Sequence, residues 1–112
     1  MKKSDIPLIG YWKITWMEMW DQDYVDEIVP GHVTIGASGA CRFQFGVVEG
    51  GFHIDPKDRY FDCDWDGSQE CDEACGEIYA AIEEGELRGE ISFRNSDESE
   101  FRAVRQKKKG NG

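Results

Sequence analysis

Apolar side chains recur at every second position in segment after segment of this chain, the period of a half-buried strand rather than the 3.6-residue period of a helix. Trp12, Ile14 and Trp16 alternate with Tyr11, Lys13 and Thr15, and the run continues through Met17, Met19 and Trp20. His32 to Ile35 reads as a short strand closed by Gly36-Ala37-Ser38-Gly39. Ala40 to Glu49 reads as a longer one, with Cys41, Phe43, Phe45 and Val47 on one face and Arg42 and Gln44 on the other. Glycine reaches positive φ without strain, so Gly50-Gly51 suits a tight hairpin into Phe52 to Ile54 and the turn Asp55-Pro56-Lys57-Asp58. A fifth strand starts near Arg59 and sets Phe61, Cys63 and Trp65 against Asp62, Asp64 and Asp66. After a polar loop over 67–75, three more strands follow: Glu77 to Ile82, Leu87 to Phe93 and Phe101 to Val104. Their turns fall at Glu84-Gly85 and Asn95-Ser96-Asp97.

One helical turn interrupts the pattern. Asp21 can cap it by accepting bonds from free amides, Val25, Ile28 and Val29 supply its apolar side, and Pro30-Gly31 ends it. A helix from Asp72 through Glu84 competes with the sixth strand, because Ala80, Ala81 and Glu83 favour it. Eight strands joined by short turns predict an all-β fold: an eight-stranded antiparallel up-and-down β-barrel with one short helix after the first strand. Closure removes the strand edges that promote aggregation. Eight strands enclose a space that side chains fill or that holds one small ligand, and both outcomes stand open at this point.

Length and charge narrow the partners. The 112 residues suffice for one domain, read as a barrel over 1–104 followed by a basic flexible tail over 105–112. The net charge is -10, from 13 basic and 23 acidic residues. Without Arg105, Lys107, Lys108 and Lys109, 9 basic groups face all 23 acids. Such a body repels nucleic-acid phosphates. No segment approaches the roughly 20 apolar residues of a membrane-spanning helix. Met1-Lys2-Lys3 resembles the start of a signal peptide, and Asp5 and Pro7 interrupt it. A cytoplasmic protein is therefore expected, with Cys41, Cys63, Cys71 and Cys75 free by default.

Gly10-Tyr11-Trp12 at the start of the first strand, with Arg102 in the last, resembles the G-x-W opening and late arginine of the calycin barrels: lipocalins, fatty-acid-binding proteins and the avidin-like group. That resemblance implies an arginine packed on the tryptophan across the barrel end, where a guanidinium gains a cation–π contribution. A longer string resembles a family of small uncharacterised bacterial proteins. It comprises Gly10-x-Trp12-x-Ile14-Thr15, Met17-Glu18-x-Trp20-Asp21-x-Asp23-Tyr24-x-Asp26, Phe43-x-Phe45-Gly46 and Leu87-x-Gly89-x-Ile91-x-Phe93. Trp16 stands where that family has an acid and Arg94 where it has a histidine. The resemblance implies no activity.

The candidate chemistry is sparse. Asp62-x-Asp64-x-Asp66-Gly67 followed by Glu73 satisfies the calcium-loop spacing, yet Arg59 to Trp65 alternates as a strand. A strand would separate Asp62 from Asp66 by about 13 Å at roughly 3.3 Å per residue. A solvated acidic face is the expectation, with no metal. Cys63, Cys71, Cys75 and His53 are zinc-ligand types without zinc-site spacing. His32 and His53 are the only histidines, and His53-x-Asp55 makes an orienting pair only if a loop joins them. Glu18, in the aromatic first strand, is expected to face solvent. No cofactor and no catalytic set are predicted. Two functions follow. The first is a non-catalytic binder of a small apolar ligand inside the barrel, lined by Trp12, Ile14, Phe43, Phe45, Phe93 and Arg102. The second is an acidic protein-interaction or inhibitor module that binds a basic partner protein, motivated by the net charge and the base-free stretch from Asp62 to Glu77.

Overall fold

The computed structural model describes residues 8–55, 57–70, 72–94 and 97–106. Eight antiparallel strands run in chain order around a closed barrel: β1 (Gly10–Met17), β2 (His32–Ile35), β3 (Ala40–Phe45), β4 (Val48–His53), β5 (Tyr60–Gln69), β6 (Asp72–Glu83), β7 (Glu86–Phe93) and β8 (Glu98–Arg105). β1 pairs with both β2 and β8, which closes the sheet. The period-two pattern of the sequence is realised as an apolar inner face, with Trp12, Ile14, Val33, Phe43, Phe45, Trp65, Ile78, Leu87, Ile91 and Ala103 each no more than 2% exposed and Ser99 the buried polar residue among them. No helix among the described residues is long and apolar enough to cross a membrane.

Three local readings are corrected. The hairpin assigned to Gly50-Gly51 lies at Gly46-Val47, and both Gly50 and Gly51 sit inside β4, paired with Phe43 and Arg42. Gly46 takes φ +57, and a Cβ there would stand 2.2 Å from the Tyr24 ring. Gly50 is small for a different reason: a Cβ would meet the Trp65 indole at 2.7 Å, so its absence gives the indole its place in the core. The polar loop assigned to 67–75 is the end of a long β5–β6 hairpin, laddered without a break from Tyr60↔Ala81 to Gln69↔Asp72. Its alternation of small and charged residues, with little apolar content, hid the strand period. The same ladder excludes the competing helix over 72–84. Finally, the register of β1 on β8 shifts between Ile14 and Trp16. The bulge turns Thr15 and Trp16 outward together and returns Met17 to the core.

The turn at Glu84-Gly85 is as predicted, with φ +54 and +83, the conformation of a two-residue hairpin that follows strand twist. The turn assigned to Asn95-Ser96-Asp97 falls partly outside the described residues, as does the tail beyond Gln106. Arg105, assigned to that tail, belongs to β8.

The helical turn α1 (Gln22–Val25) plugs one barrel end. Asp21 caps it through its carboxylate, which accepts from the Tyr24 amide at 3.0 Å. Val25 is fully buried, and its carbonyl accepts from the Gly46 amide at 3.0 Å. Trp20 stacks on Tyr24 and reaches Phe45 and Phe93 at ring distances of 5.2 and 6.1 Å. Asp26 fastens the following loop, accepting from the Gly31 amide at 2.8 Å and from Gln22 and Lys13. Partial burial raises its pKa, and these partners outweigh that effect and hold it below the ordinary aspartate value. The acid-rich Trp20 to Asp26 segment thus serves the plug.

Candidate functional site

Of the six residues expected to line a chamber, Trp12, Ile14, Phe43 and Phe45 point inward and are buried, and Phe93 is half-buried at the plugged end. They pack on one another and on neighbouring rings. Phe43 stacks on Phe45 at 6.0 Å and meets Trp65 edge-on at 5.1 Å, while Phe93 meets the other side of Trp65 at 5.3 Å. The space left between Ile14, Val33, Phe43, Ile78 and Phe101 is about 10 Å³. Ligand pockets begin near about 300 Å³. These side chains form a packed core with no chamber at its centre.

Arg102, the sixth, is corrected. It lies outside the barrel with its guanidinium 5.1 Å from the Trp16 ring. The arginine on Trp12 is Arg105, 4.5 Å from the indole, whose Nη1 also donates to the Ile9 carbonyl. Parity decides between them. Ser99, Phe101 and Ala103 face inward, so Arg105 continues the inner row past the barrel rim, whereas Arg102 belongs to the outer row with Glu98 and Glu100. Trp12 Nε1 donates to the Leu8 carbonyl at 2.9 Å, so both of its ends are held.

The titratable groups singled out by type are dispersed. His32 stacks on Tyr11 at 5.1 Å and contacts the Pro30 carbonyl. His53 is exposed, and Asp55 accepts from the Lys57 amide. Cys63 faces inward on β5 and Cys75 outward on β6, while Cys71 lies outside the described residues. No group of three or more metal-ligating side chains occurs among the described residues. Burial pushes the Cys41 thiol up to about 11, helped by Cys63, so it is protonated and inert at neutral pH. Asp62, Asp64 and Asp66 lie along an extended strand, where the calcium-loop spacing has no loop to wrap an ion.

What the fold does bring together is acid. The outer faces of β5–β8 align in cross-strand rows: Asp62, Tyr79, Glu90 and Glu100 in one, Asp64, Glu77, Ser92 and Glu98 in the next. Glu18, exposed at the end of β1, extends the first row by bonding Glu100, its amide to the Glu100 carbonyl at 2.9 Å and its carboxylate to the Glu100 amide at 3.2 Å. Because the Glu100 main chain bonds toward β1, Glu90 and Glu100 form a non-hydrogen-bonded pair, the kind whose side chains lie closest. Among the described residues, none of Asp62, Asp64, Glu77, Glu90, Glu98 and Glu100 has an ion pair. The two bases on the next row are engaged elsewhere: Arg88 with Glu83, Glu84 and Glu86, and Arg102 with Trp16. Trp16 and Tyr79 are exposed on either side of a shallow groove that also contains Glu100 and Arg102.

No protein-family model, curated protein or solved structure matches the chain.

The crowding of this face leaves an electrostatic signature. Desolvation, then the charges of Glu98, Glu100 and Glu18, raise the Glu90 carboxyl above the ordinary value of 4.5. The charge of Glu90 in turn is the main cause that raises the Tyr79 phenol. A carboxyl whose pKa is raised by folding binds its proton more tightly in the native state, so its contribution to stability is present below the unfolded value and lost as pH rises through the folded one. Glu90→Gln is therefore expected to be the more stable protein at neutral pH, with the difference narrowing as pH falls toward 4.5. Urea unfolding of both proteins across that range measures it. A variant less stable than wild type at neutral pH contradicts the assignment.

Proposed function

We propose that the chain is an acidic protein-interaction module that captures a basic partner protein on the outer face of β5–β8. One observation carries this reading. Six carboxylates with no ion pair among the described residues share adjacent rows of a single face, with Glu90 set directly opposite Glu100. Like charges facing each other across a ladder are destabilising, and a cationic surface laid over them converts that repulsion into attraction. The field of such a face also speeds encounter with a basic protein, an advantage that falls as salt rises. Exposed Trp16 and Tyr79 add aromatic surface of the kind enriched at interface cores. The G-x-W opening, the up-and-down topology and the Arg105 stack on Trp12 support a calycin-like ancestry for the scaffold.

The test is capture from host lysate by wild type and by the Glu90→Gln/Glu100→Gln variant, at about 50 and about 300 mM salt, conditions that differ strongly in screening. A basic protein retained by wild type at low salt, released at high salt and missed by the variant is the expected result. Capture that is indifferent to salt, or equal with the variant, contradicts the reading.

A further inference from the structure

The barrel is closed unevenly. β4 and β5 pair from Val48↔Gln69 to Gly51↔Asp66, where the ladder ends; β4 continues to His53 and β5 runs on to Tyr60, with no ladder pair between them there among the described residues. The direction of the free groups follows from alternation. Cys75 accepts from the Arg94 amide, so the odd-numbered residues of β6 bond toward β7 and the even-numbered ones toward β5. Ile78 and Gly76 then bond Cys63 and Trp65, which leaves the main chains of Asp62 and Asp64 directed at the β4 side, where that ladder has ended. A stretch of this kind, without a ladder partner on that side among the described residues, is a ready template for another strand. Its outward side chains are Tyr60, Asp62 and Asp64, all exposed. Its inward ones are Phe61, Cys63 and Trp65, with Phe61 held 5.1 Å from Phe52 of β4.

We propose that the basic partner docks by strand addition: an extended segment with Lys or Arg at alternate positions pairs with the β5 main chain from Tyr60 to Asp64. This rests on the interaction-module reading above and specifies how that face is engaged. Main-chain bonds supply affinity and alternate side chains supply specificity in this mode. The basic residues face Asp62 and Asp64 across the new ladder, where opposite charges stabilise, and the intervening apolar residues lie beside Phe61 and Cys63. A second copy of this chain fits poorly, since antiparallel self-pairing sets Asp62 and Asp64 against their own counterparts.

The probe is a synthetic octapeptide alternating lysine and valine, compared with an isomer carrying its lysines and valines in separate blocks. The alternating peptide is expected to slow hydrogen exchange at the Asp62 and Asp64 amides by about tenfold or more, leaving the already laddered Asp66 and Ser68 unchanged. The block isomer is expected to bind through charge without that protection. Asp64→Pro removes a donor on the open side while sparing the bonds to β6, and is expected to lose the alternating peptide's advantage. Asp62→Asn/Asp64→Asn, which keeps the main chain intact, is expected to weaken binding yet retain the protection at saturation. If both peptides bind with no protection at Asp62 and Asp64, strand addition is wrong and the acidic-face reading survives. If neither binds, both fail. Protection already present in the free protein and rising with its concentration would assign the edge to a second copy.

Discussion

Trp65→Ala is expected to lower the unfolding free energy by about 3–5 kcal/mol, the range for removing a large aromatic side chain from a packed core. Trp65 is 2% exposed and stands where Phe43 and Phe93 meet it edge-on, and its Nε1 donates to the Ser92 carbonyl at 3.1 Å. The substitution deletes the hub of that aromatic cluster and removes the indole's bond to the Ser92 carbonyl. Gly50, which faces the indole, carries no side chain to fill the space. Domains of this size are stable by only about 5–15 kcal/mol, so the loss is a large share of the total. Urea unfolding should show a lower midpoint at unchanged slope. A change under about 1 kcal/mol would mean the interior has room to spare, contrary to a filled barrel.

Trp12→Ala is expected to cost a similar amount, about 3–5 kcal/mol, and to reveal which arginine guards the barrel rim. Arg105→Ala alone removes a cation–π contact and the bond to the Ile9 carbonyl, and is expected to cost about 1–2 kcal/mol. A double-mutant cycle should show coupling between Trp12 and Arg105 of roughly 0.5 kcal/mol or more, and additivity within about 0.5 kcal/mol between Trp12 and Arg102. Coupling to Arg102 in place of Arg105 would contradict the parity of β8.

That pair also shows where sequence reasoning succeeded and where it slipped. The eight strands, their order and the inward faces of β3 and β5 were legible because Phe, Ile and Trp alternate cleanly with charge in those segments. The arginine was misassigned although the signal was present: Phe101 and Ala103 fix the inner row of β8, and Arg105, not Arg102, continues it. Other misses had no such signal. A bulge leaves no composition mark, so nothing in Thr15-Trp16 announced that Trp16 turns outward. The hairpin at Gly46 was obscured by Gly50-Gly51, whose glycines answer to the crowding of Trp65 and not to a turn. At the hairpin tip, Gly67, Ala74 and Gly76 occupy the inner face where large apolar residues would have made the strand visible.

The acidic face was only half visible. Asp62, Asp64 and Asp66 declare themselves by alternation within one strand, and the base-free stretch around them pointed to an acidic surface. Glu90, Glu98 and Glu100 join them only through register across β6, β7 and β8, and a single sequence does not encode that register in any local pattern. Whether the barrel would be filled or hollow was likewise beyond alternation, which sets the direction of a side chain and not the volume left between rings.

Native mass spectrometry of the protein purified from its own host tests the central claim most directly, that the interior is occupied by its own aromatic side chains and recognition lies outside. The expected spectrum shows the bare chain, together with any complex that dissociates as salt rises. A retained apolar small molecule, stable to salt and released only on unfolding, would contradict a core in which the space between Ile14, Val33, Phe43, Ile78 and Phe101 is about 10 Å³.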